Sequence, residues 1–476
     1  MHLDDIRRRF ARTGTLLVVG SLLVTACSGA ASPTPAPSAA PSAAPSAAPS
    51  TAATPATTAT PVAGGCASAA TTPITLMEWD QEVREGIGPV IDQLNSEFMA
   101  ANPGVTIVRQ AKSFDDLKAT VKLALADPNG PDVAQVNQGR PDMGAAVQAG
   151  LLLPLTSYAT TYGWDKRWGA GVLARNSFSD DGKQFGTGSL YGVSITGEIV
   201  GLFYNKDKYQ QLGLTIPKTF GEFEQQLATI KSKGEVPIAF GALDGDALQI
   251  YGSILETMVT PQWLNDWIYG RNNQSFNTTE TKAAAAELVK LSDDGDFTKG
   301  YAGIGYDDSA KLFEAGKGVY FWTGSWEGAT LTGAAGEKFG FIRVPPQTAG
   351  GTSLSIGGVG LPWSIRKTAK NPDCAAAYLD FLTSDHAMQL VAKLGVLPGH
   401  SAPNATGSSA LFNEMAAAFA DANSKDEVGH YLDWAFPTGW DTFKAQLAKL
   451  LAKQASPDQF VQPIDKEYQT FTASLK

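Results

Sequence analysis

Trp79-Asp80-Gln81-Glu82 sets an indole, two carboxylates and an amide side by side at the end of the apolar stretch "ITLMEW". Such a set can lay a ring against a flat C–H face and pair with vicinal hydroxyls, and the same groups can hold an ammonium ion. Asn137, Gln138 and Arg140 follow another apolar run, "PDVAQV", and offer amide and guanidinium donors. In open α/β sheets ligands bind beyond the carboxyl ends of strands, so both clusters stand where a site belongs. Glu198 is a lone acid within "SITGEIVGLF". Burying a carboxylate without a partner is costly, so it must face a ligand or an internal cation.

Other chemistries fit less well. With 47 Asp and Glu residues, a two-carboxylate hydrolase is open on composition, but no acid/base pair is marked by spacing. Of the four histidines, His386, His400 and His430 stand near no GxSxG elbow, and His2 lies in the leader. "GGVG" is too short a signal for a phosphate loop, and Arg140 is the one cation among the candidate loops, which disfavours phosphate esters. No Cys/His spacing suggests zinc, and neither a metal nor a cofactor is expected. The formal charge of −10 argues against nucleic acid or an anionic membrane surface as a partner.

These residues are carried by strands alternating with amphipathic helices, the pattern of an α/β protein. "ITLMEW", "VTIVRQ" and "PDVAQVN" read as strands. "VIDQLNSEFMAAN" and "SFDDLKATVKLALAD" read as crossover helices between them, the second capped by Ser113, which implies a parallel sheet. Four later helices are "TFGEFEQQLATIKSKG", "TKAAAAELVKLSDDG", "NPDCAAAYLDFLTSD" with Asn371 as its cap, and "WDTFKAQLAKLLAKQ". Some 400 residues are enough for two domains.

Ahead of them, residues 1–26 read as an export signal: Arg7-Arg8-Arg9 and Arg12, then an apolar run too short to span a bilayer, then small residues up to Cys27. Val24-Thr25-Ala26-Cys27 resembles a bacterial lipobox, in which the cysteine is lipidated. Residues 27–72, with "APSAAPSAAPSAAPS", form a Pro/Ala/Ser-rich strap that cannot bury a core, and at roughly 3 Å per residue could reach on the order of 100 Å. Cys66 and Cys374 could pair in an oxidising compartment, although Cys66 falls in the strap.

From about Ile74 to the C-terminus the chain resembles the sugar-binding, maltose-binding-protein-like extracellular solute-binding proteins of ABC transporters. "EFMAANPGVTIV", "GPDVAQVNQGR", "AVQAGLLLPL", "LYGVSITGEIVGLFYNKDKYQQLGLTIPKTFGEF", "FEAGKGVYFWTGSW", "GGVGLPWSIRKTAKNPDCAAAYLDFLTS" and "GVLPGHS" carry the likeness in order. The resemblance implies a two-lobed periplasmic-binding-protein fold, each lobe a mostly parallel sheet flanked by helices, joined by a multi-strand hinge. One lobe would comprise 73–196 with 360–405, the other 201–356 with 406–476. Crossings would lie near Gly197–Gly201, at Gly357-Gly358 and around 405, where glycine gives freedom of backbone angle. His400 would sit exposed in a surface loop.

The resemblance also points to ligand-facing side chains: Glu198 in the hinge, Tyr251, Trp326 of "GSW" with Glu327 beside it, and Trp440, with Gly358 allowing close backbone approach. Trp263, Trp267 and Trp434 are further wall candidates. It lacks the aromatic or acid that relatives often place near Asn137. The implied function is capture of a mono- or oligosaccharide and delivery to ABC permease subunits, by a monomeric, lipid-anchored protein outside the bacterial cell membrane, without catalysis. A polyamine is the physical competitor, because carboxylates and rings also suit ammonium groups. A tethered glycoside hydrolase is the rival from another class.

Overall fold

A computed structural model describes residues 65–83, 86–407 and 409–475. The leader, Cys27 and the strap up to residue 64 lie outside the described residues.

In β1 (Ile74–Asp80) the side chains of Ile74, Leu76, Glu78 and Asp80 are buried on one face while Thr75 is exposed. β1 runs parallel to β2 (Val105–Ala111), with Ile74 opposite Val105, and to β3 (Val133–Gln135), with Glu78 opposite Val133. The connecting helices are Gly88–Ala101 and Phe114–Ala126, as the apolar spacing predicts. Ser113 caps the second by accepting from the Asp116 N–H at 3.1 Å. A short hairpin of β4 (Ser177–Phe178) and β5 (Ser189–Leu190) follows.

The second sheet is built on β6 (Gly197–Asn205), buried along its whole length. Its other members are β7 (Ile238–Ala239), β8 (Tyr320–Gly324), β9 (Phe339–Ile342), β10 (Ser355–Val359) and β12 (Val428–Gly429), in the order β12-β10-β6-β8-β7 with β9 also on β6. β11 (Trp363–Ile365) returns to the first sheet, antiparallel to β3, to complete the order β11-β3-β1-β2. The first sheet is mostly parallel. The second is mixed, because β6 enters this lobe from the first while β10 leaves it, so the two meet antiparallel with Glu198 opposite Gly358.

These passages are the crossings between lobes. Val193 bridges Trp363, Thr196 bridges Pro398, and the Gly197 N–H donates to the Leu397 carbonyl at 2.7 Å. Gly197 and Gly201 have no positive φ. Space is what they supply: a Cβ at 197 would stand 2.8 Å from the Pro398 oxygen, and one at 201 would stand 2.5 Å from the Ile342 oxygen. Gly358, at φ 121°, does need glycine's freedom of angle. One apolar cluster contains Leu76, Ile91, Phe98, Trp164 and Tyr378. Another runs from Val121, Phe178 and Phe185 through to Trp267, Trp434 and Phe443, so the lobes share apolar contact behind the crossings.

Three expectations are corrected. Cys66 is not loose strap: it is bonded to Cys374, 308 residues away, and Cys66 and Ala69 are buried around the short turn Ala67–Ala70. His400 is buried, its ring nitrogens 2.8 Å from the Thr383 carbonyl and 3.0 Å from that of Ser401, against the edge of Trp168. Asn371 precedes Pro372 and the helix Pro372–Leu382, but its side chain makes no capping hydrogen bond. Among the described residues no helix is long and apolar enough to cross a membrane.

Candidate ligand-binding cavity

Beyond the carboxyl ends of β1, β2 and β3 lies a cavity of about 290 Å³ between the lobes. The first lobe contributes Gln81, Glu82 and Val83 after β1, Ser113, Phe114 and Asp115 after β2, and Asn137 after β3. The crossings contribute Thr196, Gly197, Glu198, Gly360 and Leu361. The second lobe closes it with Asp244, Asp246, Gln249, Tyr306, Asp307, Trp326, Tyr431, Asp433, Trp434 and Trp440, among others.

Alternation along β1 separates the first cluster. Asp80 shares the inward face of Leu76 and turns from the cavity, where Arg109 grips it through two hydrogen bonds of 2.8 and 2.7 Å. Its Oδ1 also accepts the Glu82 N–H at 2.8 Å, which fixes the loop. Gln135 completes that bracing by accepting from the Gln81 N–H at 2.8 Å and donating to the Glu82 carboxylate at 2.6 Å. Glu82 therefore faces the cavity on a rigid base. Trp79 lies outside the lining, half-buried under the Lys112 ammonium, 4.1 Å from the ring centroid.

Asn137 lines the cavity and donates to Asp142 at 3.0 Å. Gln138 turns instead into the crossing and donates to the Val359 and Gly360 carbonyls, both at 3.0 Å. Arg140 is buried between the lobes, where it donates to the Lys183 carbonyl at 2.6 Å and lies 4.8 Å from the Phe471 ring. Burial pulls its pKa down to about 10.

Glu198 stands on β6 at the cavity wall and accepts a hydrogen bond from Tyr431. Burial and this neighbouring carboxylate hold the Tyr431 hydroxyl well above the usual tyrosine range, so it stays a donor. Trp326 donates its indole N–H to the Tyr306 hydroxyl at 2.7 Å, and Tyr306 donates to Glu327 at 2.8 Å. Glu327, itself outside the lining, thus anchors Tyr306, which lines the cavity. The Trp326 ring folds back over Gly324, where a Cβ would come within 1.9 Å of it, which explains the glycine of "GSW". Trp440 packs on Gly245 with the Lys118 ammonium 3.9 Å from its ring centroid. Asp433 is buried, and that burial pushes its carboxyl up to about 6, opposed by Lys118 and reinforced by Asp142.

Tyr251 is fully buried, its hydroxyl donating to the Thr281 carbonyl at 3.1 Å; Leu248 and Gln249 in the same helix reach the cavity instead. Gly358 lies under the Arg175 guanidinium, and it is Gly360 that borders the cavity. Of the three further tryptophans Trp434 lines the cavity, whereas Trp263 and Trp267 stack on each other at 6.3 Å in the second lobe. Sequence reasoning missed Tyr306, Tyr431, Asp244 and Asp246. "ALDGDAL", with two acids around a glycine, was the available signal for the last pair. Among the described residues no group of three His, Cys, Asp or Glu is arranged to hold a metal ion.

A family model for bacterial extracellular solute-binding proteins matches residues 82–389. The multiple sugar-binding protein of Streptococcus mutans is 24% identical over 305 residues, 63% of this chain and 69% of that protein. The maltodextrin-binding protein MdxE of Bacillus subtilis is 25% identical over 318 residues, 64% of this chain and 68% of that protein. Among solved structures, a chitin oligosaccharide binding protein superposes with a TM-score of 0.73 at 19% identity, over 84% of this chain and 100% of that one. The binding protein RafE in complex with raffinose does so with a TM-score of 0.66 at 21% identity, again over 84% and 100%. The structural likenesses speak to the fold, and the family match covers well over half of the sequence. This chain belongs to the bacterial extracellular solute-binding proteins.

Proposed function

We propose that this protein captures a mono- or oligosaccharide in the cavity by closing its lobes and hands it to the permease of an ABC transporter. It does so outside the cytoplasmic membrane, held by a lipid on Cys27. The observation that carries this reading is the lining itself. Rings from Tyr306, Trp326, Tyr431, Trp434 and Trp440 meet carboxylates and amides from Glu82, Asn137, Glu198 and Gln249, at the point where strands cross between lobes. Rings suit the C–H faces of a pyranose and the polar groups suit paired hydroxyls. Crossing strands are the element that domain closure would bend. The sugar-named relatives support the same substrate class.

The test is a thermal-shift and calorimetric screen of the full chain against mono-, di- and oligosaccharides, with spermidine and putrescine alongside. A ligand at a hundred times its dissociation constant adds about 2.7 kcal/mol of stability, which is visible as a raised Tm. We expect a saccharide hit that Trp326→Ala and Glu198→Gln each weaken by tenfold or more. A polyamine hit would replace the substrate class, and turnover of a glycoside would replace binding by catalysis.

A further inference from the structure

At Trp440 the cavity stops, although space continues. A second hollow of about 350 Å³ lies beyond it, between helix Phe114–Ala126 of the first lobe and the start of helix Gly439–Leu451 of the second. Lys118, Asp142, Pro437 and Asp441 line it, while Asp115 and Trp440 border both spaces. Lys118 reaches across from the first lobe and holds its ammonium over the Trp440 ring, 3.9 Å from the centroid.

That ammonium is poorly satisfied. It pairs with Asp142 at 3.6 Å, longer than the roughly 2.7–2.9 Å of a charge-assisted hydrogen bond. Nζ is buried, and among the described residues Asp142 is the acceptor it approaches, at a distance longer than a good hydrogen bond, though an ammonium has three protons to donate. The ring attraction and the nearby Asp142 and Asp433 carboxylates hold it where it is. The side chain is long and flexible, and the contact it makes with Trp440 is one that a ligand stacking on the same ring would replace. The inner cavity alone, about 290 Å³, sits at the low end of the roughly 300–1,000 Å³ typical of small-molecule sites.

We propose that Lys118 is a length gate. With its ammonium on Trp440 the protein takes a sugar of one or two rings. A longer chain runs over the Trp440 face into the second hollow only when Lys118 swings aside. Lys118 thereby sets specificity without belonging to the inner cavity. This inference rests on the saccharide reading.

The experiment titrates the full chain calorimetrically with the series maltose to maltohexaose, xylobiose to xylohexaose and N,N′-diacetylchitobiose to its hexamer. Wild type is compared with Lys118→Ala and Lys118→Met. Disaccharide affinity should stay within twofold, while tetramers and longer bind at least tenfold more tightly to Lys118→Ala. Lys118→Met should fall between, because an unbranched apolar chain still covers the ring. Equal gains at all lengths would overturn the gate, and weaker binding of long chains would make Lys118 a ligand donor instead. A ligand-free readout stands beside this one. Acrylamide should quench tryptophan fluorescence more in Lys118→Ala than in wild type, and that excess should vanish when Trp440→Phe is present in both. If none of the sugars binds any variant, the saccharide reading falls and the length gate falls with it, whereas sugar binding without the length dependence overturns the gate alone; the quenching difference reports whether Lys118 covers Trp440, and its absence also overturns the gate.

Discussion

Glu78 and Glu82 stand four positions apart and live in opposite environments. Glu82 looks into the cavity, whereas Glu78 points into the first lobe, where Asn95 donates to it at 2.6 Å and Arg109 stays 4.0 Å away. Burial, with Asp80 adding to it, pushes the Glu78 carboxyl up to about 8 from its ordinary 4.5. A raised pKa means that the folded protein holds a proton the unfolded chain has already released. Its stability is therefore intact below about pH 4.5 and falls as pH rises toward 8, by about 1.4 kcal/mol per unit. Glu78→Gln should remove this slope, so that its stability relative to wild type improves steadily between pH 5 and pH 8 in urea melts. Parallel curves for the two proteins would show that Glu78 is ionised throughout. The residues named from sequence divided for a similar reason. Glu82, Asn137, Glu198, Trp326 and Trp440 line the cavity, whereas Asp80, Gln138 and Arg140 are consumed by internal partners. Residue type was legible, but the direction of a side chain depends on strand parity and on which partner folds up beside it.

Elements were more legible than side chains. The strand at Ile74–Asp80 and the helices Phe114–Ala126 and Thr279–Asp293 follow from apolar periodicity and capping, which are local properties. The turn Ala67–Ala70 was not legible, because its composition continues that of the strap and its burial comes from Cys374 and the surface around Gly104. The disulfide fixes this turn to helix Pro372–Leu382, at the start of the described chain. Replacing both cysteines by serine should lower unfolding stability by about 2–5 kcal/mol, the usual range for a native disulfide. Since neither cysteine lines the cavity, ligand affinity should hold within twofold; melting and titration of the same preparation check both. A loss of affinity without a loss of stability would mean that the turn acts on the site.

At the scale of the whole molecule, the contacts that cross between lobes are the ones that the proposed closure would have to accommodate. Arg175, buried, donates to the Gly357 and Gly429 carbonyls at 2.6 and 2.8 Å, and so ties the first lobe to the middle of β10 and the end of β12. Phe185 packs on Tyr269 at 5.2 Å across the same boundary. Under the proposed closure such contacts would set the balance between open and closed forms, and a ligand shifts such a balance only by its differential affinity for the two. The strap should stand apart from this balance. Deleting residues 30–60 should leave the dissociation constant unchanged. A tenfold weaker ligand affinity in the deleted form would place the strap within the binding unit.

By itself the sequence determined the α/β class, the order of elements and the family, because periodicity, caps and ordered motifs are written locally along the chain. It also named the crossing carboxylate Glu198 and the ring of Trp326. Only the tertiary structure decided that Asp80 braces the loop and stays out of the lining, that Tyr306 and Tyr431 join the wall, that Cys66 meets Cys374, and that Lys118 lies over Trp440. Each of those outcomes is a meeting of residues far apart in the chain. Its energy comes from burial and pairing in the folded state, and no local pattern encodes either.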